Sequence, residues 1–213
     1  MKKQLLPLTL FTLIIMMWVV AYPQLPDQVP MQWGIDGTVN WTAPKLIGLL
    51  SQVGLYLFMY LTLEFAPRVD PTKSSTQQNL KAYQVIKVAT LLLLFIVNLF
   101  IVLKGMGLAL DIEIIVPIIV GLLFIIIGNY TQSVKQNYFM GIRTPWTLAS
   151  QTVWRKTHRL GSRLFIMTGM IFILLPLFAD QILLPLILTT IFLLALVPTI
   201  YSYYLYRTYQ GKE

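Results

Sequence analysis

Three arginines, a lysine and the only histidine fall within a short stretch of this chain: Arg143, Arg155, Lys156, His158 and Arg159, with Arg163 close behind. Guanidinium groups grip phosphate through paired N–H donors, and a histidine beside them could in principle move a proton. No carboxylate lies in residues 137–161 to orient that imidazole, so acid–base catalysis lacks its usual positioned partner. A second cluster, in residues 23–45, sets Asp27 and Asp36 among Gln32, Trp33 and Trp41. Its carboxylates suit a cationic ligand and its indoles an apolar one. With no cysteine and one histidine, thiolate chemistry, disulfides and sulfur-ligated metal are excluded and a zinc site is not expected. No cofactor and no catalytic residue are expected.

The elements that must hold these clusters are membrane spans. The chain has 213 residues, 57% hydrophobic and 11% charged, against about a quarter charged in an average soluble domain. Six stretches have the roughly 20 apolar residues needed to cross a bilayer: 5–22, 46–66, 85–103, 112–130, 160–179 and 182–204. The last two are split only by Asp180 and Gln181; unbroken, they would be far longer than the bilayer is thick. The expected fold is therefore all-α and polytopic, with six transmembrane helices, a short outer loop cap and an interfacial amphipathic cytoplasmic helix. Residues 1–66 would form the first two spans with the outer proline/tryptophan loop (23–45). Residues 67–213 would form a four-helix region carrying the segment 137–161. Lys2 and Lys3 before the first apolar run resemble a signal peptide, but the run is long for one. It reads as an uncleaved anchor.

Orientation follows from the basic residues. With the amino terminus inside, 14 of the 16 Lys and Arg fall on the cytoplasmic side, leaving Lys45 and Lys104 outside. Asp27, Asp36, Asp111, Glu113 and Asp180 lie outside. Both termini are then cytoplasmic, in a multi-pass protein of the cell membrane. The formal charge of +8 reads as attraction to anionic membrane lipid rather than to nucleic acid, and no direct nucleic-acid partner is expected. Within the spans, Glu64 and Lys87 lie near cytoplasmic ends and are expected to snorkel, Asn98 to bond between helices, and Gly121 and Gly128 to permit close packing.

In the outer loop, Pro23, Pro26, Pro30 and Pro44 favour extended backbone and Asp36-Gly37 supplies a hairpin-type turn, so a small ordered cap is expected. In the cytoplasmic segment, Thr144 before Pro145 reads as a helix N-cap with proline at the first position. Trp146, Ala149, Val153, Thr157 and Leu160 recur at helical spacing, opposite Arg155, Lys156, Arg159 and Arg163. That is the pattern of a helix lying in the headgroup layer.

The run Gly141-Ile142-Arg143-Thr144-Pro145-Trp146-Thr147-Leu148, followed by Val153-Trp154, strongly resembles the signature of the SdpI family of bacterial immunity proteins. The outer loop, with Leu25-Pro26-Asp27, Val29-Pro30, Gln32-Trp33, Gly37 and Lys45, resembles the amino-terminal module of that family. Many relatives carry histidine where Gln32 stands, which argues against a metal in this loop. The resemblance implies a membrane protein that protects its cell from a secreted toxin peptide, the sporulation-delaying toxin. It also implies a signal transducer that sequesters a cytosolic transcriptional autorepressor at the membrane. On that reading Asp27, Gln32, Trp33, Asp36 and Trp41 sense the toxin. Asn137, Gly141, Arg143, Thr144, Pro145, Trp146, Thr147, Trp154, His158 and Arg159 dock the repressor. The competing reading is a membrane enzyme or transporter gripping lipid headgroups through Arg143, His158 and Arg159.

Overall fold

A computed structural model describes residues 2–68, 80–138, 140–178 and 180–209. Residues 70–79, whose Ser, Thr and Gln read as a polar cytoplasmic connection, lie outside the described residues. The helices are α1 (Lys2–Ala21), α2 (Lys45–Phe65), α3 (Leu80–Gly105), α4 (Ile112–Thr131), α5 (Pro145–Ala149), α6 (Gln151–Leu174) and α7 (Asp180–Tyr209). Between α1 and α2 stand two strands, β1 (Gln28–Trp33) and β2 (Val39–Pro44). Among the described residues six helices are long and apolar enough to cross a membrane, and each overlaps one expected span, the fifth beginning at Gln151 rather than 160. The chain is a multi-pass membrane protein. Its loop cap is a small antiparallel sheet in an otherwise helical fold.

The chain divides into two compact units, residues 1–64 with 87–116 and residues 65–86 with 117–213. The division does not follow a single cut at residue 66, because 87–116 joins the first unit. In that unit Leu10, Ile14, Trp18 and Ala21 recur at helical spacing along α1 and pack with Leu25, Val29, Tyr56, Leu91, Ile101 and Val102. Asn98 makes the interhelical bond expected of it: Trp18 Nε1 donates to Asn98 Oδ1 at 3.1 Å, and Asn98 Nδ2 donates to Leu94 O at 2.9 Å. Tyr56 donates to Pro7 O at 2.9 Å. A polar atom in hydrocarbon finds no water, so each of these pairings removes a cost of several kcal/mol on the order of an unsatisfied group.

Lys87 is buried on protein partners rather than reaching solvent as expected of it. Lys87 is 1% exposed, its ammonium lies 2.5 Å from Glu64 Oε2 and 5.3 Å from the Tyr60 ring centroid, and Gln4 Nε2 donates to Glu64 Oε1 at 2.9 Å. A buried ammonium is tolerated because a carboxylate and a ring face replace its hydration.

In the second unit α4 and α6 touch at backbone distance. A methyl on Gly121 would lie 2.6 Å from Gly169 O, one on Gly169 2.5 Å from Gly121 O, and one on Gly128 2.9 Å from Ser162 O. The glycines therefore do what their spacing predicts, permitting a close helix crossing. After α6 a 3-10 turn at Leu175–Leu177 leads to α7, so the apolar run breaks where Asp180 and Gln181 require it. Phe172, Leu175 and Leu183 pack there with Val120 and Phe124.

Candidate functional site

The hairpin forms one candidate surface. Gly37 has φ +73, Gly34 N–H donates to Thr38 O at 2.8 Å, and Asp36 Oδ1 accepts from the Thr38 hydroxyl at 2.7 Å and the Thr38 N–H at 3.1 Å. Those two bonds hold the Asp36 carboxyl below its ordinary value of 3.8. A methyl on Gly37 would strike the Glu113 carboxylate, so the first turn of α4 rests against the hairpin turn. At the base, Lys45 N–H donates to Asp27 O at 3.0 Å, and the Lys45 ammonium reaches Leu25 O at 3.3 Å, Asp27 Oδ1 at 3.4 Å and the Tyr22 ring at 5.2 Å.

Close packing fixes the hairpin on its helices. Val29 is fully buried, and a methyl on Gly48 of α2 or Gly105 of α3 would meet Val29 Cγ2 at 2.8 Å or Leu25 Cδ2 at 2.7 Å. Of the five residues expected to sense a ligand, Asp27, Gln32, Asp36 and Trp41 are exposed. Trp33 is half-buried against the core, and its indole N–H has no partner among the described residues. The hairpin thus presents carboxylates, an amide and one open indole ring on a rigid base.

The segment after α4 forms the other candidate. Thr144 caps α5 as its sequence predicts: its hydroxyl accepts from Thr147 N–H at 3.1 Å, the Thr147 hydroxyl accepts from Thr144 N–H at 2.9 Å, and Pro145 opens the helix. The Thr144 hydroxyl also meets Ser202 Oγ of α7 at 3.0 Å, and the Trp146 ring meets that of Tyr203 edge-on at 5.0 Å. The backbone then leaves helical geometry at Ser150 (φ −141, ψ 129), whose side chain caps α6. The buried face of α6 carries the expected Val153 and Thr157 together with Trp154, His158, Gly161 and Ser162, while Ala149, before the break, is exposed. The expected separate interfacial helix is instead the five-residue α5 followed by the first turns of a 24-residue helix.

His158 is fully buried and both ring nitrogens are committed. Nε2 accepts from Ile142 N–H at 3.0 Å and Nδ1 bonds Trp154 O at 2.9 Å, which fixes the neutral Nδ1–H form. The imidazole stacks on Trp154 with centroids 4.0 Å apart, and Trp154 Nε1 donates to Val134 O at 2.8 Å. Gly141 has φ +109, and a methyl there would collide with His158 Nε2. Asn137 Oδ1 accepts from Met140 N–H at 2.6 Å, and Gln136 Nε2 donates to Thr147 O and Leu148 O at 2.9 Å each.

Five residues expected to dock a partner therefore lie inside this knot: Asn137, Thr144, Thr147, Trp154 and His158. Gly141, Arg143, Pro145 and Arg159 are exposed and Trp146 is half-buried. The buried His158 does not join the exposed Arg143 and Arg159 in a phosphate-binding cluster, because each of its ring nitrogens already serves a backbone group. Arg155, Lys156 and Arg163 are exposed beside Arg159, with Lys156 on the Tyr209 ring and hydroxyl. Sequence reasoning missed Ser202 and Tyr203 as partners of this segment and Glu64 as the partner of Lys87; no local spacing signals contacts between distant helices.

Comparison with known proteins bears on both surfaces. A family model described as the SdpI/YfhL protein family matches residues 133–202, and one described as a domain of unknown function (DUF1648) matches residues 9–56. The first match contains the polar knot and the second contains the hairpin. Immunity protein SdpI of Bacillus subtilis (strain 168) is 28% identical over 211 residues, covering 99% of each chain. No solved structure matches. Residues 133–202 thus resemble the SdpI/YfhL protein family, and the chain is similar to an immunity protein along 99% of both lengths.

Proposed function

We propose that this chain is a membrane immunity protein, protecting its cell from a secreted toxin peptide. The likeness to an immunity protein along 99% of both chains carries the reading. On this reading six crossings set the loop after the first span and the loop after the fourth on opposite faces, and the excess of basic residues around the second supports an inside location for it. The hairpin is then the extracellular surface, and Asp27, Gln32, Asp36 and Trp41 meet the toxin, with Trp33 behind them. Expression in a toxin-sensitive strain, followed by challenge with the sporulation-delaying peptide, tests this directly. Survival at concentrations that kill the parent is expected; sensitivity equal to the parent, with the protein present in the membrane, overturns it.

The same reading gives the cytoplasmic face a signalling task, the capture of a transcriptional autorepressor. The knot supplies the rigid base, while Arg143, Pro145, Trp146 and Arg159 supply contacts. Residues 114–179 contain six Lys and Arg and no carboxylate, so their charge is answered from outside that segment. Anionic lipid meets it at about 1 kcal/mol per basic residue near the surface. Replacing Arg143 and Trp146 with alanine leaves abundance unchanged and reduces repressor recruitment to the membrane. Full recruitment by that variant removes the segment from signalling.

A further inference from the structure

Strand β2 pairs with β1 along one edge only, and Val39, Asn40, Trp41 and Thr42 are all exposed. The phase of the ladder shows what the other edge offers. Because Lys45 N–H bonds Asp27 O, alternation makes Val29/Ala43 the next bonded pair and leaves Pro30/Thr42 and Gln28/Pro44 at non-bonded positions. Prolines 30 and 44 fit there, having no N–H to lose. Thr42 therefore directs its N–H and C=O to the open edge, where no described residue meets them. The register slips at Met31 and Asn40, so the regular edge is short and centred on Thr42.

Soluble proteins guard such edges with lysine, proline or a covering segment; Pro44 guards the next outward position of β2, and residues 39–42 carry neither lysine nor proline, so the open stretch is confined to Thr42 and its neighbours. Val39 and Trp41, 49% and 54% exposed, are followed on α2 by exposed Leu46, Ile47 and Leu50, so apolar surface runs from the strand onto a span. Carboxylates stand at both ends: Asp36 and Glu113 by the turn and Asp27 at the base, while Lys45 is already paired with Asp27. An anionic lipid surface is repelled by such a rim; a cationic apolar strand is complementary to it.

We infer that the open edge of β2 is a strand-addition site for an extended, cationic, apolar peptide. The incoming backbone pairs with Thr42, alternate side chains lie on Val39 and Trp41, and its cations meet Asp36 and Glu113. The inference rests on the immunity reading and supplies the chemistry by which a toxin peptide would be recognised.

The test uses the full chain in nanodiscs of neutral lipid and a fluorescent alternating Lys-Val octapeptide, with a second copy N-methylated at every other amide. The unmethylated peptide binds at least tenfold tighter than the methylated one. Thr42→Pro lowers binding at least tenfold, Thr42→Val does not, and Asp36→Asn with Glu113→Gln weakens binding in a salt-dependent way. Melting of each variant confirms that the hairpin survives. Equal affinity for the two peptides, binding no greater than to empty nanodiscs, or a Thr42-dependent dimer that excludes peptide each overturns the inference. Toxin challenge of cells runs in parallel: a wild-type chain that fails to protect refutes the immunity reading itself. Full protection by Thr42→Pro refutes only the strand-addition site.

Discussion

Replacing Gly141 with alanine strikes the knot where backbone geometry and a side chain depend on the same missing methyl. At φ +109 an alanine costs about 1–3 kcal/mol. Its methyl also expels the His158 imidazole, which leaves the Ile142 N–H unpaired at about 1–3 kcal/mol and ends the Trp154 stack at about 0.5–1.5 kcal/mol. The variant is thus destabilised by roughly 2.5–7.5 kcal/mol. His158→Ala alone suffers the last two losses but makes room for the methyl, so adding Gly141→Ala to it costs only the backbone strain, about 1–3 kcal/mol. Reversible unfolding of the four proteins in mixed micelles, followed by tryptophan fluorescence, measures this cycle. The coupling is expected at about 1.5–4.5 kcal/mol, with the double variant less destabilised than the separate effects imply. Equal cost of Gly141→Ala in both backgrounds refutes the argument that imidazole and glycine share one space.

Three further outcomes follow from the geometry. Glu64→Gln removes the carboxylate from the buried Lys87 ammonium and lowers stability by about 3–5 kcal/mol, whereas replacing both with apolar residues recovers most of the loss in the same unfolding assay. Gly169→Leu forces α4 and α6 apart at Gly121 O, and a fall in melting temperature with loss of any crosslink engineered between those helices is expected. Thr38→Val removes the hydroxyl bond to Asp36, so a carboxyl NMR titration should find its pKa moved up toward the ordinary value. Since the folded value is depressed, the contribution of that charge is present above about pH 4 and lost as pH falls through the folded pKa; the variant shows less of this dependence.

Local signals in the sequence were faithful where one element decides its own fate. Apolar length placed six spans, Thr144-Pro145 placed a capped helix, and Asp36-Gly37 placed a turn, because each depends on residues within one turn or one bilayer thickness. Past Ser150 the periodic positions Val153 and Thr157 are buried and the basic face is exposed as their spacing predicts, but the width of the buried face, which also takes in Trp154 and His158, and the exposure of Ala149 before the break were not legible. The pairing of Lys87 with Glu64 and of Thr144 with Ser202 was equally hidden, since each joins different helices and leaves no mark on local spacing. At the candidate surfaces the residue types were found but their roles were mixed. Several polar and aromatic side chains in 137–161 build the support, and a smaller exposed subset remains available to partners.

The account depends on the hairpin and the basic strip facing opposite compartments. Because the chain lacks cysteine, Asn40→Cys and Arg155→Cys can each be labelled without background by a membrane-impermeant maleimide. Labelling of Asn40→Cys in intact cells, and of Arg155→Cys only after permeabilisation, is the predicted result. Labelling of both positions in intact cells, or of Arg155→Cys alone, contradicts it.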